Sequence, residues 1–218
     1  MQVSFLGLSK DTVTILMDML FEVNGQKQFD VYLNKDFGVM PVFRLKEYAF
    51  TIHQSFKANP QIEYTFGATG PHNKHSIFQD FNMKYHVGTN GYATIIHPMA
   101  YIASSSKLAT GIVIEPNVSV SSQTSIGFGV MIKRGAQIGH HCEIGDYCDI
   151  NPGSTLSGNV KVGKGCQIGS GAVLRDNIEI GENSIIGLGS VVTKSIPANS
   201  IAYGNPCKVV KMNNKWSI

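Results

Sequence analysis

Between Ile96 and Val192 an aliphatic residue recurs at every sixth position, from Ile96, Ile102 and Leu108 to Ile180, Ile186 and Val192, seventeen in succession without an insertion or a miss. An amphipathic helix needs spacings of three, four and seven, and a half-buried strand needs alternation, so neither fits. A fixed period of six is the signature of a parallel β-helix, whose short strands turn three corners and stack coil on coil. With about 18 residues per coil, the run of 97 residues predicts between five and six coils. At about 4.8 Å per coil the prism is roughly 25 Å tall.

A second column supports the first. Two positions before the aliphatic residue the side chain is small or medium-sized, as at Ala136, Cys142, Cys148, Ser154, Cys166 and Ala172. Glycine follows the aliphatic residue at Gly127, Gly139, Gly145, Gly163, Gly169, Gly181 and Gly187. Glycine reaches backbone angles closed to other residues, so these positions are expected to form the corners.

Residues 1–92 have a different grain. Val3–Leu6 and Phe29–Leu33 read as strands, with a third at Ile62–Phe66 and a fourth at Tyr92–Ile96 feeding the prism. Val13, Leu16, Met17, Leu20 and Phe21 recur at helical spacing, with Asp11 as the expected N-cap and Gly25 past the end. Pro71 opens a second helix carrying Ile77, Phe78 and Phe81. Strands alternating with helices predict a small Rossmann-like parallel α/β domain. The expected organisation is therefore 1–92 as this domain, 93–196 as the β-helix and 197–218 as a terminal tail. The first strand-to-helix turn, Gly7-Leu8-Ser9-Lys10-Asp11, holds one glycine where a dinucleotide fingerprint holds three. Two readings stay open there: a nucleotide-sugar pocket using Ser9 and the helix amino end as an anion site, or an ordinary turn.

Composition narrows the classes. Charged residues make up 15% of the chain, below the usual 25% or so, as a solenoid that hides most positions requires. A formal charge of +3, scattered along the sequence, gives no reason to expect nucleic acid or an acidic membrane as partner. The sequence has no 18-residue apolar run and its first ten residues lack signal-peptide features, so no membrane span and a cytoplasmic location are expected. Cys142, Cys148 and Cys166 fall in the small inward slot and are expected to be reduced packing residues. His53, His72, His75 and His86 are expected at the surface, and His97 as a structural residue at the domain junction. Glu143 and Asp146 are expected as solvated corner residues.

A small α/β domain followed by an uninterrupted prism resembles the hexapeptide-repeat acyltransferases, specifically the sugar-nucleotide amino-group acetyltransferases of the bacillosamine and perosamine pathways, grouped with sialic acid O-acetyltransferases. The stretches carrying the resemblance are Ile138-Gly139-His140-His141-Cys142-Glu143-Ile144-Gly145-Asp146 and Gly158-Asn159-Val160-Lys161-Val162-Gly163. It implies that the β-helix is left-handed, that acetyl-CoA is the cosubstrate without a metal, and that the chain forms a homotrimer. It further implies His140 as general base and the Gly158 N–H as oxyanion donor. Asp149, Gly158, Ser170, Gly187 and Lys208 are expected to meet coenzyme A, with Lys208 either binding its 3′-phosphate or remaining a solvated tail lysine. Gly7, Ser9, Asn34 and Gly70 are expected to meet a nucleotide-linked amino sugar. Asp149 and Lys133 stand where relatives often carry histidine and asparagine, and His141 stands where they usually carry an acid.

Acyl transfer from a thioester needs a neutral amine, and an imidazole of pKa near 6.5 can take the proton. The carbonyl oxygen that turns anionic needs a fixed donor. The hexad register is consistent with both: one coil separates His140 from Gly158 and His141 from Asn159, about 5 Å along the axis. Asn159 is thus expected as a polar partner of the histidine pair. The favoured activity is N-acetylation of a nucleotide-linked amino sugar. O-acetylation of a sugar hydroxyl would use the same groups. A γ-carbonic anhydrase-like metal site needs a second histidine five residues after the first, where this chain has Gly145.

Overall fold

The computed structural model of the chain describes residues 2–35 and 47–214; residues 215–218 of the expected tail lie outside the described residues. Strands β1 (Val3–Leu6), β2 (Gln28–Tyr32), β3 (Ala49–His53) and β4 (Glu63–Phe66) form a wholly parallel sheet in the order β3-β2-β1-β4. Helix α1 (Lys10–Asn24) follows β1 and helix α2 (Pro71–Tyr85) follows β4. The order reverses between β1 and β4, and a crevice at the carboxyl ends of strands flanking such a reversal is where this class of sheet holds ligands.

Three expectations for this part change. The N-cap of α1 is Ser9, whose extended backbone puts its carbonyl on the Val13 N–H at 2.9 Å, while Asp11 sits inside the first turn; there its charge suits the helix dipole. Strand β3 is an addition, an edge strand with no residue fully buried. The strand expected over Tyr92–Ile96 is a short 3₁₀ turn (Thr89–Gly91), one bridge from Tyr92 to Tyr64 and the two-residue strand Ile95–Ile96.

From Ile95 the chain winds as a parallel β-helix of two-residue strands on three faces. The first face stacks Ile95–Ile96, Val113–Ile114, Met131–Ile132, Asp149–Ile150, Gln167–Ile168 and Ile185–Ile186. The second runs from Tyr101–Ile102 through Gln137–Ile138 and Thr155–Leu156 to Val191–Val192, and the third from Lys107–Leu108 through Glu143–Ile144 to Glu179–Ile180. Neighbouring strands are 18 residues apart, as in the pairing of Ile126 with Ile144. The sixth-position residues fill the core, with Ile114, Ile132, Ile150 and Ile168 wholly buried. The small column packs beside them: Ala136, Cys142, Cys148, Ser154 and Cys166 have no exposure. The three inward cysteines are free, and the thiols of Cys142, Cys148 and Cys166 each donate to the carbonyl 15 residues ahead at 3.1–3.2 Å. Burial raises the Cys142 and Cys148 thiol pKa values, which keeps both protonated.

The corners correct the reading of the glycines. The left-handed backbone falls on the third residue after the aliphatic position, at every sixth residue from Gly111 to Gly189, fourteen corners in succession. Seven of these are glycine and four asparagine, the residues that adopt this conformation most readily; the others are Gln123, His141 and Tyr147. The glycine directly after the aliphatic residue does something else. A Cβ on Gly139 would lie 2.5 Å from the Ser157 carbonyl carbon, and one on Gly163 would lie 2.5 Å from the Glu182 nitrogen. Those glycines let successive coils stack.

The two parts share a core. Phe66, Phe78 and Tyr92 from the first part interleave with Phe128 and Tyr147 at the edge between the third and first faces. Beneath them, Lys74 of α2 is fully buried and paired with Asp149 on the first face at 2.7 Å. His97 is also buried at the junction and pairs with Glu22 of α1. A hairpin of strands Ser200–Gly204 and Cys207–Met212 continues the first face past its last coil.

Candidate active site

The edge between the second and third faces carries the histidine pair. His140 and His141 follow strand Gln137–Ile138, and the coil above presents Gly158 and Asn159 after strand Thr155–Leu156. The ladder continues through this corner: the His141 N–H donates to the Ser122 carbonyl, and the Asn159 N–H donates to the His140 carbonyl, both at 2.9 Å.

The imidazole of His140 lies over Gly158. A Cβ on that glycine would stand 2.6 Å from Cε1 and 2.7 Å from Nε2 of the ring. The missing side chain thus makes room for the histidine itself. Among the described residues the Gly158 N–H has no acceptor. On its other side the His140 ring meets its neighbour, with Nδ1 to Nδ1 at 3.0 Å and the two rings edge to face. If His140 Nδ1 carries the hydrogen and donates it to His141, Nε2 is left with a free lone pair, the state a base requires. His141, which stands where the acyltransferases this sequence resembles usually carry an acid, is the ring partner of His140 Nδ1. Both imidazoles are exposed, and an open cavity of about 480 Å³ adjoins His141, lined by Ser105, Lys107, Gln123 and Glu143 on the third face. Asn159 joins the site through its backbone. Glu143 is exposed and pairs with Lys161 at 3.0 Å, whereas Asp146 is half-buried and accepts the Phe128 N–H at 2.8 Å, a structural role.

The remaining expected residues lie elsewhere. Ser170 and Gly187 follow strands of the first face and stand at the edge between the first and second faces. Within one chain they do not meet His140. Gly187 is further covered, since a Cβ there would lie 2.6 Å from Cβ of Tyr203. Lys208 is exposed on the terminal hairpin, opposite Tyr203. Asp149 is 1% exposed, with Oδ1 on Lys74 Nζ at 2.7 Å and Oδ2 accepting the Gly70 N–H at 2.8 Å. It cannot meet coenzyme A as expected, because it is buried with both oxygens bonded inside the interface; the half-buried Gly70 gives its N–H to Asp149.

At the reversal point of the parallel sheet, Ser9 and Asn34 line one cavity of about 190 Å³ with Lys35, His72, Asn73 and Ser76. Gly7 holds a left-handed turn just behind it, where a Cβ would strike Ile77, and Asn34 is steadied by Asp80 at 3.1 Å. A second cavity, of about 220 Å³, lies between α1 and the first face, with Thr69, Glu115, Lys133 and Arg134 in its lining. Sequence reasoning missed it because it joins residues 11–16, 69 and 113–152, which no local spacing connects. Among the described residues, no group of three or more His, Cys, Asp and Glu is arranged to hold a metal ion, and no helix is long and apolar enough to cross a membrane.

Residues 123–158 and 159–194 each match the family model described as bacterial transferase hexapeptide, six repeats. No curated protein matches the sequence. Among solved structures the chain is similar over nearly its full length to a histidine-to-asparagine variant of perosamine N-acetyltransferase from Caulobacter crescentus in complex with CoA and GDP-perosamine. That match has 20% identity, covers 97% of both chains and has a TM-score of 0.78. The acetyltransferase domain of PglB from Neisseria gonorrhoeae, in complex with acetyl coenzyme A, is 19% identical, covers 96% of this chain and 98% of its own, and has a TM-score of 0.80. WeeI from Acinetobacter baumannii is 23% identical over 96% and 99% of the two chains, with a TM-score of 0.79. The chain therefore carries hexapeptide repeats and has the fold of these proteins, a small α/β domain followed by a left-handed β-helix.

Proposed function

We propose that this hexapeptide-repeat chain is an acyltransferase that moves an acetyl group from acetyl-CoA to the amino group of a nucleotide-linked amino sugar. The observation that carries the reading is the His140 ring laid over Gly158 and hydrogen-bonded through Nδ1 to His141. The fold it shares with proteins solved with CoA, acetyl-CoA and GDP-perosamine supports the substrate classes.

The neutral amine of the sugar attacks the thioester carbonyl, and His140 Nε2 takes the proton that the new C–N bond makes acidic. The carbonyl oxygen becomes anionic and receives the Gly158 N–H. As the C–S bond breaks, the imidazolium returns its proton to the departing thiolate, giving the amide and free coenzyme A. Each step uses a group at the one edge. General base catalysis of this kind is worth about 10²–10⁴-fold, and a single oxyanion donor about 10²–10³-fold.

In this reading the acceptor lies along the two cavities on the α/β domain, with Ser9 and Asn34 at its nucleotide end. Because those cavities and the expected cofactor residues Ser170, Gly187 and Lys208 sit away from His140, the site is completed by a second copy of the chain, and the working form is a homotrimer. A thiol-release assay with acetyl-CoA and a panel of UDP-, GDP- and dTDP-linked amino sugars and their hydroxyl counterparts tests it. Turnover is expected with an amino sugar, falling at least a hundredfold in His140→Ala. Undiminished turnover in His140→Ala would show the base is wrongly assigned, and a fully active monomer by solution mass measurement would sink the shared site.

A further inference from the structure

Two segments run past both cavities of the α/β domain. Ser9 and Ala68 line the first, and the residues that follow them, Asp11, Thr12 and Thr69, line the second. One extended ligand can therefore reach from the sheet's reversal point down to the first face of the prism. The second cavity, at about 220 Å³, is smaller than the roughly 300–1,000 Å³ of sites that enclose a complete ligand. It takes one portion of a larger molecule.

Its lining carries two acids and two bases, Asp11, Glu115, Lys133 and Arg134, and they are not evenly paired. Arg134 is met by Glu115, through both its N–H at 3.0 Å and its guanidinium at 2.9 Å. Lys133 is not matched in this way. Among the described residues its ammonium has one short bond, to the neutral amide oxygen of Asn151 at 2.8 Å, and its side chain is 16% exposed. Among the described residues the carboxylate nearest to it, Asp149, is 3.9 Å away and already serves Lys74 and the Gly70 N–H. Two lysines thus share one carboxylate, and Lys133, the more distant of them, is the one that lines the cavity. Asp11 stands on the opposite wall but is exposed, where water screens it. A lysine has three donors, and a mostly buried one with a single neutral acceptor calls for an oxygen anion.

We propose that Lys133 is a ligand-binding residue that recognises an anionic oxygen group of the acceptor, either a carboxylate on the sugar or the diphosphate of its nucleotide. This deepens the acyltransferase reading and rests on it for the identity of the acceptor. The binding itself is measured without turnover, so the two can fail separately.

The test is calorimetry on the full chain, wild type and Lys133→Met, with pyrophosphate, free glucuronate, UDP-glucose, UDP-glucuronate and GDP-mannose as probes. At least one probe is expected to bind wild type, and Lys133→Met to weaken it tenfold or more. A loss for pyrophosphate and for every diphosphate sugar assigns the diphosphate. A loss confined to glucuronate and UDP-glucuronate, with UDP-glucose unaffected, assigns the carboxylate. Lys133→Asn, which keeps a polar side chain without charge, should lose the same affinity if the methionine variant does not fold. Unchanged affinity in both variants, or no binding of any probe to wild type, overturns the proposal; absent thiol release with lysine-dependent binding overturns only the transfer reading.

Discussion

His141 serves two ends that conflict. It occupies a left-handed corner, φ 56°, where eleven of fourteen corners carry glycine or asparagine, and a side chain other than those costs about 1–2 kcal/mol there. In return it supplies the ring nitrogen that pairs with His140 Nδ1 at 3.0 Å. Asparagine adopts the corner with less strain and offers only an amide in place of the imidazole. His141→Asn is therefore expected to melt at the same temperature or a few degrees higher, while kcat falls at least tenfold, measured by thermal denaturation beside thiol release. Strain of this sort tends to gather at working sites. The register that sets His140 beside Gly158 is legible in the sequence, because a period of six places residues 18 apart on adjacent coils. What the ring does there is not legible, since that depends on a rotamer and on a glycine whose open side is filled by the histidine. The burial of Asp149 is not legible for the same reason: its partner Lys74 is 75 residues away in sequence and no periodicity links them.

At the scale of elements, the hexad contains two kinds of glycine with different tolerances. Gly163 faces the backbone of the next coil, with a Cβ site 2.5 Å from Glu182 N, while Gly153, φ 66°, has open space around it. Gly163→Ala must push two coils apart and is expected to lose about 1–3 kcal/mol or more, whereas Gly153→Asn should keep its melting temperature within a few degrees. Equal losses would mean that coil stacking is not what restrains the first position. The sixth-position core needed no structure to find, because burial repeats faithfully along a solenoid. The edge strand β3 is not legible in the sequence, since none of its residues is fully buried, and Ser9 and Asp11 are both residue types that suit an N-cap, so the sequence does not choose between them. Helix α2 adds a pH dependence. His75 packs edge to face on Tyr147, ring centroids 5.2 Å apart, and burial, then the charges of Lys164 and His72, hold its pKa below 6.5. The unfolded chain then takes up the proton first, so this contribution to stability is complete above pH 6.5 and declines as the pH falls toward the folded value. Melting temperature is expected to drop on acidification below 6.5 and to drop less in His75→Gln.

For the whole molecule, the question is what holds an α/β domain at one angle on a rigid prism. Aromatic packing at Phe66, Phe78, Phe128 and Tyr147 supplies area, but contacts of this kind tolerate sliding. Lys74 does not, because its ammonium must reach the Gly129 carbonyl at 2.7 Å, the Cys148 carbonyl at 3.1 Å and Asp149 at 2.7 Å together. Burial lowers its pKa, with Asp149 acting against that shift, so the pair is a locating pin more than a source of stability. A buried pair broken on one side typically costs 3–5 kcal/mol, whereas replacing both partners by apolar groups of similar volume is often neutral. Lys74→Met alone should therefore melt well below wild type, while Lys74→Met with Asp149→Leu should recover much of the loss. Turnover separates location from stability. If the pin sets where the acceptor cavities lie against the prism, the recovered double variant keeps its KM for acetyl-CoA and shows a raised KM for the acceptor sugar. A double variant with both values at wild-type level would mean that aromatic packing alone fixes the angle, and that the buried charges are incidental to it.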